Sequence, residues 1–206
     1  MKRHILAICL TLLTCIGVNA QDNYVRGIMA IQNNEPALAR FYLEKAVVDD
    51  PNLGYAHALL AHTYNQFGLN NEALASADKA LSVIMPFDND GKYLALNSKA
   101  LALANLSEAG SLDEAQKTKL RNEAIENFTL ALKIKTDPQS LFFRARLLMK
   151  VKRYDEALQE CEKINALTKD NEKNYVLMGE IYADMKNHKQ AIDAYSIALK
   201  INSKTT

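Results

Sequence analysis

The sequence predicts an all-α fold, and three observations carry that prediction. Strong helix formers, Ala and Leu above all, dominate a chain of 206 residues with only 7 Gly and 4 Pro, whereas sheet proteins favour Val, Ile and Thr. Apolar residues make up 49%, enough to bury a core without loop-rich or low-complexity stretches. A pattern of small and large residues also returns every 34 positions, a period that belongs to stacked helical units. Lys and Arg number 25 against 24 Asp and Glu, a formal charge of +1, so no nucleic-acid partner is expected.

Taken in chain order, residues 1–20 read as a secretory leader that is removed. Met1 to His4 is a short basic start, Ile5 to Ile16 is apolar except for Thr11 and Thr14, and Val18-Asn19-Ala20 is a small-x-small close. The apolar run is too short for a bilayer-spanning helix of roughly 20 residues, and no transmembrane span is expected in the mature chain. Cleavage after Ala20 removes Lys2, Arg3, Cys9 and Cys15, which leaves a formal charge of −1 and Cys161 alone. No internal disulfide can then form, so stability must come from packing. The periplasm is the expected location. The alternatives are release from the cell, or an outer-membrane lipoprotein anchored through Cys15, where Thr14 fits the modification motif poorly.

Five units follow, at residues 21–53, 54–87, 88–137, 138–171 and 172–206. The first helix of each carries a small residue, Gly27, Ala61, Ala100, Ala145 or Gly179, and the second helix carries Ala39, Ala73, Ala124, Ala157 or Ala191. Gly27 to Ala61, Ala39 to Ala73, Ala145 to Gly179 and Ala157 to Ala191 are each 34 apart. Small side chains there let two helices cross closely, and a larger group would hold them apart. Tyr64, Phe128, Tyr182 and Tyr195 are expected between neighbouring pairs, so that no unit buries its apolar face alone. The third unit is longer, with extra residues around 85–91 and 105–119. Ser111 and Glu114 read as a capping box, which would start its second helix near 112 and run it to about 135, beyond its neighbours.

These positions resemble the tetratricopeptide repeat family. The fifth unit is the nearest fit, with Tyr175, Met178, Gly179 and Tyr182 followed by Ala191, Tyr195 and Ala198. The second has Leu60, Ala61, Tyr64, Gly68, Ala73 and Ala80, and Pro51 closes the first. Departures are His57 and Leu141 at the opening aromatic slot, Leu43, Ala77 and Cys161 at the Phe-type slot, and Arg26, Lys99 and Arg144 at the Leu slot. The resemblance covers nearly all of the mature chain. It implies a right-handed helical solenoid of antiparallel helix pairs that binds a protein or peptide partner, and with the leader the expected role is assisting assembly of an envelope complex.

No constellation of catalytic chemistry stands out, and neither an enzyme nor a cofactor is expected. His57 and His62 are five residues apart, about 140° around a helix, so they cannot share a metal as an i, i+4 pair would. His57 reads as a substitute for the opening aromatic and His188 as a turn residue. Asp88-Asn89-Asp90-Gly91 imitates part of a calcium loop, but Pro86 and Asn97 stand where its first and last ligands belong. A turn and an N-cap are expected there instead. Ser76 and Lys79 have S-x-x-K spacing without the companion motifs of acylating serine enzymes. Cys161, in a core slot, reads as buried and inert.

The resemblance implies that the first helix of each pair lines a concave groove. The candidate partner-binding residues there are Tyr24, Ile28, Tyr55, His62, Asn65, Asn97, Phe142, Arg146, Met149 and Glu180. Exposed aromatics and Arg are enriched at protein interfaces, which points to an extended peptide or a helix as occupant. The carboxylate clamp of some family members is not supported, because Tyr24, Ile28 and His62 occupy its positions. Two alternatives stand beside this reading. One is a small-ligand or enzymatic groove around His62, Asn97 and Arg146. The other is a structural module: no polar capping helix follows the fifth unit, so Ile192, Ile197, Leu199 and Ile201 are expected to dock a partner or a second copy, giving a homodimer. Ile197 occupies a slot held by Lys45, Lys79 and Lys163 in other units.

Overall fold

Every small-residue slot read from the sequence is buried. Ala39, Ala73, Ala124 and Ala157 are wholly inaccessible, as are Ala61, Ala100 and Ala145, and Ala191 is 5% exposed. A computed structural model describes residues 19–205 and is helical throughout them, with no strand. The predicted leader lies outside the described residues apart from Asn19 and Ala20, which are already helical; Ala20 is buried.

The helices are α1 at 19–32, α2 at Pro36–Asp49, α3 at Gly54–Gln66, α4 at Asn70–Val83, α5 at Asn89–Leu106, α6 at Glu114–Ile134, α7 at Pro138–Lys150, α8 at Tyr154–Leu167, α9 at Glu172–Asp184 and α10 at His188–Thr205. They fall into two compact units, Met1–Asn105 and Leu106–Thr206.

Four of the turns repeat one backbone device. Asn34, Gly68, Lys152 and Lys186 have φ between 59° and 69°, in the left-handed region. Around each, the amide three residues past the helix returns to a carbonyl five positions back: Glu35 to Ala30, Leu69 to Tyr64, Arg153 to Leu148 and Asn187 to Tyr182, at 2.8 to 3.0 Å. The inner amides of Asn34, Gly68, Lys152 and Lys186 bond Ile31, Asn65, Met149 and Ala183. This is the Schellman closure, which satisfies helix-end carbonyls that would otherwise lack donors. Gly68 adopts the conformation freely, whereas Asn34, Lys152 and Lys186 carry a Cβ penalty of roughly 1–2 kcal/mol each.

Several helix starts are fixed by side chains, although α2, α3, α4 and α8 begin without a side-chain cap. Asp88 Oδ1 accepts from the Gly91 amide at 2.8 Å, so the acidic turn is an N-cap, as its sequence suggested. Asp137 caps α7 through the Ser140 amide at 2.7 Å, with Pro138 in the first turn. Asn171 caps α9 through the Asn174 amide.

The capping box of α6 differs from expectation. It joins Asp113 and Gln116 in both directions, at 2.8 and 3.0 Å, rather than Ser111 and Glu114. Asp113 satisfies an orphan amide while Gln116 returns to the Asp113 amide, and the helix starts later as a result. It has 21 residues, about 31 Å of axis, not the longer span from 112 to 135. His188 likewise begins α10 instead of lying in the preceding turn.

In the first unit, Leu43, Ala56 and Leu60 form a core against which Tyr24, Ile31, Val47 and Tyr64 pack. Gly27 sits so close to Leu43 that a β-carbon would meet its side chain at 2.8 Å. Ala58, Ala80 and Ala95 join α3, α4 and α5, with Leu81, Ile84 and Leu94 around them. The Tyr64 hydroxyl donates to Glu44 at 3.0 Å; burial and that bond push its pKa up to about 12.

The second unit is built on Phe128, which is wholly buried and stacks on Phe143 at a centroid separation of 6.3 Å. Leu148, Cys161, Ile164, Leu177 and Ile181 are also buried. Asn174, with no exposure, donates to the Cys161 carbonyl and to Asn165 Oδ1, both at 2.8 Å. Glu108 accepts from Lys150 at 2.6 Å and lies 3.7 Å from Arg121, which ties the segment before α6 to α6 and α7.

Candidate partner-binding surface

Helical periodicity decides which side chains of the pair-opening helices reach solvent. In the first unit Tyr24, Ile28 and Tyr55 are each half-buried. Tyr24 packs against the Leu43, Ala56 and Leu60 core. Burial raises the Tyr24 hydroxyl above its ordinary pKa, and Tyr55 and Asp88 add to the shift. The Tyr55 hydroxyl is raised by burial and then by Asp90 and Asp88. Two aromatic rings and two carboxylates therefore share one neighbourhood.

The polar cluster expected beside them is only partly available. Burial lowers the pKa of His62, whose Nε2 lies 3.3 Å from Gln66 Nε2. Asn65 is half-buried and already engaged: its amide donates to the Ser98 carbonyl at 2.8 Å, holding α3 to α5. Asn97 is half-buried and already engaged within the protein.

The second unit gathers more of the predicted set. Phe142, Arg146 and Glu180 line one cavity of about 300 Å³ with Lys173, Val176 and Leu177. Phe142 sits edge-on to Phe143 at 6.2 Å and 71°, so its ring is fixed by the core behind it. Spacing explains the convergence: Lys173, Val176, Leu177 and Glu180 are three, four and seven residues apart and share a face of α9. Arg146 and Glu180 are exposed, and neither Arg146 nor Lys173 forms an ion pair with a described residue. Glu172 also lines the cavity and accepts from Asn202 at 3.0 Å; the sequence reading missed it and Leu177. Met149 is half-buried and lies outside this lining.

The C-terminal helix divides the four residues expected at its surface. Ile192, Ile197 and Leu199 are 65%, 39% and 71% exposed, but Ile201 is 8% exposed. The correction follows from helical phase. Ala191, Ala194, Ala198 and Ile201 recur at intervals of three and four, all buried, and form the inward stripe of α10.

Sequence reasoning also missed an apolar stripe on α2. Leu38, Phe41 and Val48 are 42%, 48% and 77% exposed, with the Lys45 ammonium 4.3 Å from the Phe41 ring centre. The 38, 41, 45, 48 spacing carries the signal, which the repeat frame concealed.

The groups of possible chemical interest are engaged in packing. Cys161 is a free thiol with no exposure, and burial pushes its pKa up to about 12. His57 Nε2 lies 3.1 Å from the Pro51 carbonyl, in the opening slot of the second repeat. Among the described residues no three His, Cys, Asp or Glu side chains gather as metal ligands would, and no helix is long and apolar enough to cross a membrane.

A family model described as anaphase-promoting complex, cyclosome, subunit 3 matches residues 117–197. No curated protein matches by sequence. Among solved structures, MamA protein aligns with a TM-score of 0.72 at 18% identity, covering 91% of this chain and 94% of its own. YrrB, titled a TPR protein with an unusual peptide-binding site, aligns at 0.66 and 19% identity over 85% of this chain and 82% of its own. TTC0263, a thermophilic TPR protein of Thermus thermophilus, aligns at 0.64 and 19% over 90% and 92%. The chain has the tetratricopeptide-repeat fold.

Proposed function

We propose that this protein is an exported scaffold without catalytic activity, which binds a protein or peptide segment on the faces of its pair-opening helices. The observation that carries the reading is the cavity between α7 and α9. Phe142, Val176 and Leu177 give it an apolar floor, and Arg146, Lys173 and Glu180 give it charged sides. An apolar centre with a polar rim is the ordinary anatomy of a protein interface. The peptide-binding site named for YrrB supports the same use of the fold. The leader-like residues 1–20 support export to the periplasm, and assembly of an envelope complex is the role that joins export to partner binding.

The test is capture of an envelope partner by immobilised protein. Phe142→Ala and Tyr55→Ala should each weaken capture at least tenfold while the circular dichroism spectrum and thermal midpoint stay close to wild type. Undiminished capture by both variants would refute binding on these faces. A second reading, self-association through α10, is favoured by the exposure of Ile192 and Leu199. Sedimentation of the wild type and of Leu199→Glu decides it, because a monomer in both excludes that contact.

A further inference from the structure

The second unit holds a basic cavity on a different set of helices from the surface just described. It measures about 280 Å³ and lies among α6, the turn that follows it, α7 and α8. Lys133 comes from α6, Lys163 from α8, Arg144 and Leu141 from α7, and Thr129 and Thr136 complete the polar lining. Among the described residues no carboxylate lines it. The neighbouring Glu160, with a side chain only 6% exposed, accepts from Arg144 Nη2 at 2.5 Å and from Lys163 Nζ at 2.9 Å. One carboxylate is therefore set against three cations, and the cavity keeps a positive balance.

Donors also outnumber acceptors. Arg144 Nη1 donates to Thr129 Oγ1 at 3.1 Å, and its buried Nε has no acceptor. Thr129 in turn donates to the Ile125 carbonyl at 2.7 Å, so its single donor hydrogen is used. Lys133 makes no ion pair with a described residue, and Lys163, whose side chain is 56% exposed, has two further ammonium protons.

The placement of these donors selects the ligand. With Arg144 Nη1 given to Thr129 and Nη2 to Glu160, the end-on pairing through both Nη atoms that suits a carboxylate is already taken, and only Nε lacks an acceptor. What remains is two point-like ammonium groups, Lys133 from α6 and Lys163 from α8, with the Arg144 Nε and the Thr136 hydroxyl. Donors converging from separate directions match an anion with acceptors in several directions. We propose that this cavity binds a tetrahedral oxyanion of the phosphate class, either the free ion or a phosphomonoester.

The experiment titrates the purified protein with inorganic phosphate at constant ionic strength, following binding by calorimetry and by the thermal midpoint. Saturable binding is expected, weakened at least tenfold in the Lys133→Ala/Lys163→Ala double variant and unchanged in Lys200→Ala. Sulfate should compete and acetate should not. Phenyl phosphate as competitor separates the two sources: displacement assigns the site to phosphomonoesters, and failure to displace assigns it to the free ion. Both lysines are solvent-facing, so the double variant should keep the wild-type thermal midpoint without phosphate. Absence of saturable binding, equal affinity in the double variant, or equal competition by acetate would overturn the proposal.

Discussion

Gly179 of α9 lies against the ring of Tyr195 on α10, so close that a β-carbon at 179 would stand 2.5 Å from Cε1. The last helix pair is therefore set by one missing methyl group. Gly179→Ala should lower stability by about 1–3 kcal/mol, the usual cost of overpacking a filled site, although alanine favours helix intrinsically. Chemical denaturation measures it. A stabilised Gly179→Ala protein would show that the helices separate at little cost.

The repeated turn predicts gains. Lys152 and Lys186 hold φ of 61° and 60° without the freedom of glycine. Lys152→Gly and Lys186→Gly should each raise stability by about 0.5–1 kcal/mol, the relief of the left-handed penalty less the added entropy of the unfolded chain. Gly68→Ala, at φ 69°, should do the reverse. Thermal midpoints of the three variants test this; equal midpoints would mean that the turns carry no strain.

Cys161 should resist alkylation. With no exposure and a pKa pushed up to about 12, the native thiol should react with iodoacetamide at pH 8 about three orders of magnitude more slowly than in denaturant, because the thiolate is the reacting form. Fast labelling of the folded protein would contradict its place in the core.

Stability should fall on acidification through histidine. Burial, aided by the charge of Lys79, holds His57 below its ordinary pKa against the opposing Pro51 carbonyl and Asp50. The unfolded chain therefore takes up a proton first as pH drops through the ordinary histidine value of about 6.5, and the folded state loses stability from there downwards until its own group titrates. His57→Phe should flatten part of the dependence of the thermal midpoint between about pH 7.5 and 5. An unchanged slope would assign the effect elsewhere, His62 being the next histidine lowered by burial.

Where small residues repeat, the sequence was read at the level of single positions. Ala39, Ala73, Ala145 and Ala157 are wholly buried, and their spacing in the sequence marks the close helix crossings. The turns were not legible in the same way. Asn34, Lys152 and Lys186 adopt the conformation of Gly68, and only Gly68 advertises it. The start of α6 was misplaced because Ser111 and Asp113 both offer capping chemistry, and the choice rests on which partner, Glu114 or Gln116, closes the box.

At the candidate surface, Phe142, Arg146 and Glu180, three of the ten residues that helical phase assigned to a groove, line one cavity. The fate of Asn65 depended on a carbonyl of α5, 33 positions away, and no local pattern signals that bond. Ile201 was misjudged because its neighbours were read as a surface, whereas its spacing from Ala194 and Ala198 turns it inward.

Site-specific photo-crosslinking tests the central claim most directly. A photoreactive phenylalanine analogue is placed at Val176, in the α7–α9 cavity, or at Leu199, on the outer face of α10, and each protein is irradiated with envelope extract. Partner binding on the pair-opening helices predicts a discrete crosslinked species from position 176 that disappears on Arg146→Glu, with none from 199. Crosslinks from 199 alone, or a species from 176 that Arg146→Glu leaves untouched, would contradict it.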